Sequence, residues 1–241
     1  MSSFIVLFKG ELLRMKKYNI LSASLVVALI WIVTLHLTGI ENLSMLFLLI
    51  IFVDATSMAI LLIGATMFFE KQEGALKTLL VSPMGKAEYI LSKSCAGIFT
   101  NLLTLFILYL YAKLFKEINI NLALLLGGTI LAAFFHSMVG FVVTYNSRDF
   151  TELLMGMFRY ILVLMTPVLL DQLGVISSRV VKNMFYILPT KATYSILSAA
   201  GGGLKAWEVC VSIAYLAAGS ALLYYVALKK FDDFAAKESG V

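Results

Sequence analysis

The segment EKQEGALKTLLVSPMGKAEYILSK, residues 70–93, separates two long apolar runs of the chain. A simple connection between two membrane helices needs only a few polar residues, whereas this segment is long and amphipathic. Gly74 and Pro83 bracket a short helical pattern at residues 75–82. We therefore expect the segment to lie at a membrane surface and to present an apolar edge to a soluble partner protein.

The composition of the chain is typical of an integral membrane protein. Its 241 residues are 61% hydrophobic and 14% charged, with a mean hydropathy of +0.95, whereas soluble domains are about 45–50% apolar and about 25% charged. A membrane-crossing helix needs roughly 20 mainly apolar residues. The sequence predicts an all-α membrane protein forming one transmembrane domain over residues 1–241, with spans at residues 19–37, 43–69, 94–112, 121–144, 153–170 and 209–228.

The distribution of lysine and arginine predicts the orientation. With the N-terminus placed inside, the inner segments carry twice as many of these residues as the outer segments. An excess of Lys and Arg is characteristic of the cytoplasmic side. We therefore expect both termini and residues 70–93 to face the cytoplasm. The formal net charge of +5 then reflects membrane anchoring and not nucleic-acid binding.

Two further segments are predicted outside the spans. Residues 3–17 form an amphipathic pattern that we expect to lie along the inner membrane surface; one face of it carries Phe4, Ile5, Phe8, Leu12 and Met15. In the outer segment, residues 171–208, the apolar stretches 184–188 and 194–200 are each too short to span. We expect two short helices there, separated by residues 189–191 and ended by the glycines at 201–203.

Three polar residues inside the predicted spans are candidates for lining a translocation path. Asp54 lies in the second span, His136 in the fourth and Arg159 in the fifth. Ionisable side chains in a membrane face protein or water and have partners, so Arg159 is the natural partner for Asp54. The alternative is a purely structural charge pair, or an arginine that reaches the interface. Pro167 is expected to kink the fifth span.

Motifs of nucleotide-binding and hydrolytic enzymes are absent from the sequence. There is no G-x-x-x-x-G-K-[ST], no G-x-S-x-G and no H-E-x-x-H. His36 and His136 lie on different spans and lack Cys, Asp or Glu at metal-ligand spacing. We expect no catalytic site, no metal and no cofactor in this chain.

These residues resemble a known family, the membrane subunits of bacterial ABC exporters of the second permease type. Its loop between spans two and three reads Glu-x-x-x-Gly-Thr-Leu-x-x-Leu-x-x-Ser-Pro and continues to a lysine. This chain matches the pattern, with alanine at position 75 in place of threonine, through Glu70, Gly74, Leu76, Leu79, Ser82, Pro83 and Lys93. The short length, and the order of Asp54, Glu70 and Ser82-Pro83, also resemble the small fluoroquinolone-export permeases.

The resemblance implies a mechanism. Two permease subunits, identical or related, would form the pathway in a bacterial plasma membrane, and two cytoplasmic ATPase subunits would bind ATP and Mg²⁺ below them. The segment at 70–93 would be the coupling helix that docks on the ATPase, through Glu70, Glu73, Gly74, Leu76, Leu79, Leu80, Ser82, Pro83 and Met84. Residues 180–203 of the outer segment would act as an extracellular gate, with Pro189, Tyr194 and Gly201 as candidates.

Two alternatives remain open at this level. A secondary transporter would use Asp54 as a proton site and need no ATPase, although such folds commonly show inverted repeats that the sequence lacks. A membrane immunity or assembly protein would transport nothing. For a transporter, the mostly apolar path predicts a hydrophobic or amphipathic cargo such as a drug, lipid or peptide.

Overall fold

The computed structural model describes residues 3–40, 42–75 and 85–239. Within these ranges the fold is helical, and six helical stretches are long and apolar enough to cross a membrane, as the apolar runs predicted. The helices are α1 (Ser3–Lys17), α2 (Ile20–Leu37), α3 (Ser44–Gln72), α4 (Lys86–Phe115), α5 (Leu122–Tyr145), α6 (Phe150–Tyr160), α7 (Thr166–Gln172), α8 (Arg179–Met184), α9 (Pro189–Ser198) and α10 (Ala206–Ser239). The end of the bundle where residues 70–93 connect α3 to α4 is called the loop side.

Helix α3 forms the centre of the bundle and packs most extensively on α5. It is apolar around its whole circumference, as expected of a helix surrounded by others, and most of its span is buried. The closest approach is at Gly140 of α5, where a Cβ atom would lie 3.1 Å from the Cα and carbonyl oxygen of Ile60. Glycine at this position lets the two backbones meet, as small residues do between membrane helices.

Two helices extend well beyond the predicted spans. Helix α4 begins at Lys86, eight residues before the predicted start at 94, and α10 continues to Ser239, although its predicted span ended at 228. Hydropathy detects only the part of a helix that lies in lipid, and these extensions are amphipathic. The start of α4 is stabilised by one half of a capping box: the backbone N–H of Gly85 donates to the Glu88 carboxylate at 3.3 Å.

The fifth crossing stretch is interrupted where Pro167 was expected to disturb it. A π-helical segment, Ile161–Met165, joins α6 to α7, and Pro167 lies in the first turn of α7. Proline has no N–H to donate to the preceding turn, which fits the change of helical repeat there. The Thr190 hydroxyl of α9 donates to the carbonyl of Leu164. The proline therefore coincides with a contact between this stretch and the segment opposite the loop side.

Helix α1 exists as predicted, but its buried face is rotated from the predicted face and shares Met15 with it. Leu7, Glu11 and Met15 are the buried residues of this helix, while Ile5 is 42% exposed. The prediction placed α1 on a lipid surface and chose its buried face from the hydrophobicity of the side chains alone. Because α1 packs on α4, its buried face is set by the groups it meets there, and these include a charged one.

The outer segment contains two short helices, but residues 189–191 do not separate them. Pro189, Thr190 and Lys191 form the first turn of α9, and the break falls before them, after the 3₁₀ turn Phe185–Ile187. Proline is favoured at the first position of a helix because its fixed φ suits that turn. The predicted end at the glycines is confirmed by the positive φ of Gly202, +81°.

Candidate functional site

A cluster of buried charged side chains lies on the loop side, at the base of residues 70–93. Glu70 ends the membrane part of α3, and Lys93 lies in the second turn of α4; both are almost fully buried. The Lys93 ammonium donates to Glu70 Oε1 at 2.8 Å, and the Tyr89 hydroxyl donates to Glu70 Oε2 at 2.7 Å. The first and last residues of the predicted coupling segment therefore bind each other directly.

Helix α1 supplies the other half of this cluster. The Lys93 ammonium also donates to Glu11 Oε2 at 2.9 Å. Arg14 pairs with the second oxygen of Glu11, and its Nε lies 3.1 Å from Glu70 Oε1. We call Glu11, Arg14, Glu70, Tyr89 and Lys93 the loop-base cluster. It joins α1, α3 and α4 at the point where the segment leaves the bundle.

The loop-base cluster balances its own charge. Two carboxylates, Glu11 and Glu70, face two cations, Arg14 and Lys93, so no net charge is left buried. Burial alone raises the pKa of Glu11, but the attraction of Lys93 and Arg14 outweighs it and holds this pKa below the ordinary value of 4.5. Arg14 beside both carboxylates likewise has a raised pKa despite its partial burial. Glu11 and Arg14 therefore stay ionised.

Additional contacts attach α1 to the start of the loop. The Lys17 ammonium lies 2.5 Å from Glu73 Oε1, and this hydrogen bond lowers the pKa of the exposed Glu73 carboxyl. The rings of Tyr18 and Phe69 stack at 4.7 Å. Gly74 turns the chain out of α3 with a φ of +68°, a conformation that glycine adopts readily. The remaining predicted coupling residues lie outside the described residues: Leu76, Leu79, Leu80, Ser82, Pro83 and Met84.

The three candidates for the translocation path are far less closely associated. Asp54 is buried beside α2 and α4, next to a small polar cavity. Arg159 is exposed on α6, where its Nε donates to the Met155 carbonyl of its own helix at 3.3 Å. Among the described residues no ion pair joins Asp54 to Arg159, so the predicted partnership is wrong. Asp54 adjoins α2 and α4, whereas α6, which carries Arg159, packs on α3 and α5.

His136 is completely buried in α5. Its Nδ1 lies 2.8 Å from the carbonyl oxygen of Ala132, within the same helix, and the Tyr160 ring meets the imidazole edge-on at a centroid distance of 5.9 Å. Its Nε2 has no hydrogen-bond partner. The described residues contain no group of His, Cys, Asp or Glu side chains that could hold a metal ion.

The gate candidates all lie in one compact element opposite the loop side. Pro189 begins α9, and Tyr194 in its middle packs edge-on against Phe52 of α3 at 5.6 Å. A Cβ atom at Gly201 would lie 2.9 Å from a methyl group of Leu48. This element is fastened to α7 by Asp171, whose carboxylate oxygens lie 3.1 Å from the ammonium groups of Lys182 and of Lys191.

The geometry is that of a six-span membrane bundle with a charged loop anchored to its first helix, and comparison with known proteins gives its family. The model of the fluoroquinolones export permease protein family matches residues 2–239. The chain belongs to this family. Membership confirms the resemblance to small fluoroquinolone-export permeases and makes the chain a membrane permease.

Two relatives within this permease group come from Mycobacterium tuberculosis, one from strain CDC 1551 / Oshkosh and one from strain ATCC 25618 / H37Rv. Each is described as a fluoroquinolones export permease protein. Each is 23% identical to this chain over 190 residues, which cover 78% of this chain and 77% of the relative. No solved structure matches the chain significantly.

Glu11, Arg14 and Tyr89 were missed as site residues in the sequence. A signal for Glu11 was present, because a carboxylate at position 11 falls on the same helical face as Phe8 and Met15, three and four residues away. An acidic residue within an apolar stripe indicates a buried cation in another element. Which cation it is could not be read from the sequence, since Lys93 is 82 residues away.

Proposed function

We propose that this permease is the membrane subunit of an ATP-driven bacterial exporter. Two copies, or one copy and a related chain, form the pathway in the plasma membrane, and residues 70–93 face the cytoplasm. A separate cytoplasmic ATPase docks on this segment and supplies the energy, since the sequence has no phosphate-binding loop of its own. Helix α1 lies along the inner membrane surface.

The observation that carries this proposal is the loop-base cluster. An ATPase moves a membrane subunit only if the element it contacts binds the two conformational states of the ATPase with different affinity. That element must also be mechanically joined to the spans. Glu70 and Lys93 fix both ends of the segment to each other and, through Glu11, to α1. A displacement of the segment therefore acts on α1, α3 and α4 together instead of being lost in a flexible connection.

The exposure of Arg159 supports a pathway built by more than one subunit. It lies about nine residues, or roughly 13 Å at 1.5 Å per residue, from the loop-side end of its crossing stretch. A guanidinium facing hydrocarbon costs about 2.5–3.5 kcal/mol or more. Among the described residues it has no acidic partner. A second subunit or a water-filled path covering this face of α6 removes that cost.

An apolar cavity beside the gate candidates supports a hydrophobic or amphipathic cargo. It has a volume of about 300 Å³ and lies between α5, α9 and α10, with Gly128, Leu131, Ile196 and Ile213 among its lining residues. This volume is at the lower end of those that hold drug-sized ligands, about 300–1,000 Å³. Fluoroquinolones, for which the relatives are named, are the first cargo to test.

Affinity purification of the chain from its native membrane, followed by mass spectrometry, tests the energy source. We expect a P-loop ATPase in stoichiometric amount. Replacing Leu79 and Leu80 by Asp removes the apolar edge of the segment and should abolish co-purification without impairing membrane insertion. The matched control is Leu173→Asp with Val175→Asp, two exposed apolar residues at the opposite end of the bundle, which should leave the association intact.

Two results contradict the proposal. ATPase recovery unchanged by the substitutions at Leu79 and Leu80 would exclude this segment as the docking element. If no ATPase is recovered with the unmodified chain under mild detergent, a proton-coupled transporter acting through Asp54, or a membrane protein without transport activity, becomes the better description.

A further inference from the structure

Asp54 lies at a depth where a bare carboxylate is costly. It is about ten residues, or roughly 15 Å, from the start of the long helix α3, and only 4% of it is exposed. Among the described residues no lysine, arginine or histidine is within ion-pair distance of it. The Trp31 indole interacts with the carboxylate, but its N–H does not reach hydrogen-bond geometry. The charge of Asp54 is therefore not balanced by any described side chain.

The carboxylate adjoins a small cavity between α2, α3 and α4. The polar groups lining it with Asp54 are Ser24, Thr100, Asn101 and Thr104. Its volume of about 10 Å³ corresponds to one water-sized sphere. A body of that size, such as a single dehydrated ion, fits there, and a drug-sized molecule does not.

Three of the lining side chains, those of Ser24, Thr100 and Asn101, have engaged donors and oxygens that can still accept. The Asn101 amide nitrogen donates to the Gly97 carbonyl at 3.0 Å, which leaves the amide oxygen Oδ1 as the free end. That oxygen is buried and has no partner. The hydroxyls of Ser24 and Thr100 donate to backbone carbonyls of their own helices, each at 3.0 Å, so their lone pairs remain available.

We propose that this cavity is a binding site for a small monovalent cation, with sodium as the ion to test. Asp54 supplies the charge, and Asn101 Oδ1 and the hydroxyl oxygens supply neutral ligands, the hard oxygen donors that such ions prefer. A monovalent ion neutralises the one carboxylate, whereas a divalent ion would leave a positive charge in the membrane interior. Binding of this ion ties α2 to α3 and α4. The proposal is independent of the ATPase.

The test is the melting temperature of the purified full-length chain in sodium, lithium, potassium and choline chloride at equal ionic strength and mildly alkaline pH. Choline is too large for the cavity. We expect sodium to raise the melting temperature over choline by about 3 °C, through preferential binding to the folded state. Asp54→Asn and Asn101→Leu should remove this difference. Thr129→Val is the matched control, because Thr129 is a buried hydroxyl residue away from the cavity, and it should respond like the unmodified chain.

A direct measurement keeps the proposal testable if a variant does not fold: radiolabelled sodium should bind the unmodified chain with a stoichiometry near one and be displaced by excess unlabelled sodium. The proposal is overturned if sodium and choline give the same melting temperature, or if Asp54→Asn responds as the unmodified chain does. The lining residues from α2 and α4 carry no ionisable group. Stabilisation by acid without any effect of sodium would mean that a proton alone neutralises Asp54, which also overturns the cation site.

Discussion

Glu11 and Asp54 are both carboxylates buried among helices, but their surroundings differ in kind. Glu11 lies within hydrogen-bond distance of a lysine and an arginine from its own chain. Asp54 has a small cavity and neutral oxygen groups around it. Burying an ion is costly unless it is paired. The Glu11 carboxylate is paired with cations of its own chain, whereas the Asp54 carboxylate needs an external ion.

The difference predicts how each region responds to change. The loop-base cluster is neutral as a unit, so removing one member leaves a charge of the opposite sign buried without compensation. The Asp54 cavity has no internal counter-charge to lose, so replacing the carboxylate by an amide removes a charge and leaves none behind. Stability should therefore depend strongly on every charge in the first region and much less on the charge in the second.

The largest effect is expected for Lys93→Met. Methionine retains most of the side-chain volume but leaves Glu11 and Glu70 facing each other with Arg14 as their remaining cation. Removing one partner of a buried ion pair costs about 3–5 kcal/mol. The melting temperature in detergent, together with the yield of monodisperse protein, measures this loss.

Lys86→Met is the matched control for this substitution, because Lys86 lies on the same helix and pairs with Asp232 in an exposed position. Exposed pairs contribute about 0–1 kcal/mol, so its melting temperature should change little. Equal losses in Lys93→Met and Lys86→Met, or a loss in Asp54→Asn as large as that in Lys93→Met, would remove the contrast between the two regions.

The next effect is a partial recovery in the double variant Glu11→Gln with Lys93→Met. Adding Glu11→Gln to Lys93→Met removes the uncompensated carboxylate and leaves Glu70 paired with Arg14. We expect the double variant to be more stable than Lys93→Met by about 1–3 kcal/mol, within the range of coupling energies between residues in contact. Strictly additive losses in a double-mutant cycle over the same melting measurements would show that the cluster does not act as a unit.

The smallest effect concerns pH. The pKa of Glu11 is held below its ordinary value of 4.5, so as the pH falls the unfolded chain takes up this proton before the folded chain does. The stability that Glu11 contributes is complete above about pH 4.5 and is lost as the pH falls through the folded-state pKa. Its size is about 1 kcal/mol for each unit of pKa difference.

Melting temperatures of the unmodified chain and of Glu11→Gln across this pH range isolate the contribution of this carboxyl. Only the difference between the two curves is assigned to Glu11. We expect a shallower decline in Glu11→Gln. Parallel curves would contradict the lowered pKa.

Much of the fold could be predicted because hydrophobic runs and turn residues act locally. The number of crossing stretches and the break of the fifth one near Pro167 follow from length, hydropathy and the missing N–H of proline. The full lengths of α4 and α10 could not be predicted from hydropathy, because the start of α4 and the end of α10 are amphipathic and lie outside the apolar runs. The start of α9 was placed too late, because Pro189 begins this helix instead of preceding it.

The sequence by itself determined that this chain is a helical membrane protein with a charged, amphipathic segment between its second and third spans, because composition and periodicity fix where a chain can meet lipid or water. Only the tertiary structure decided which charges meet. Glu11, Glu70 and Lys93 come together across three helices, and Asp54 adjoins α2 and α4 without an ion pair to Arg159 among the described residues. Charge pairing depends on the rotation and neighbours of whole helices, and these are set by packing between segments far apart in the sequence.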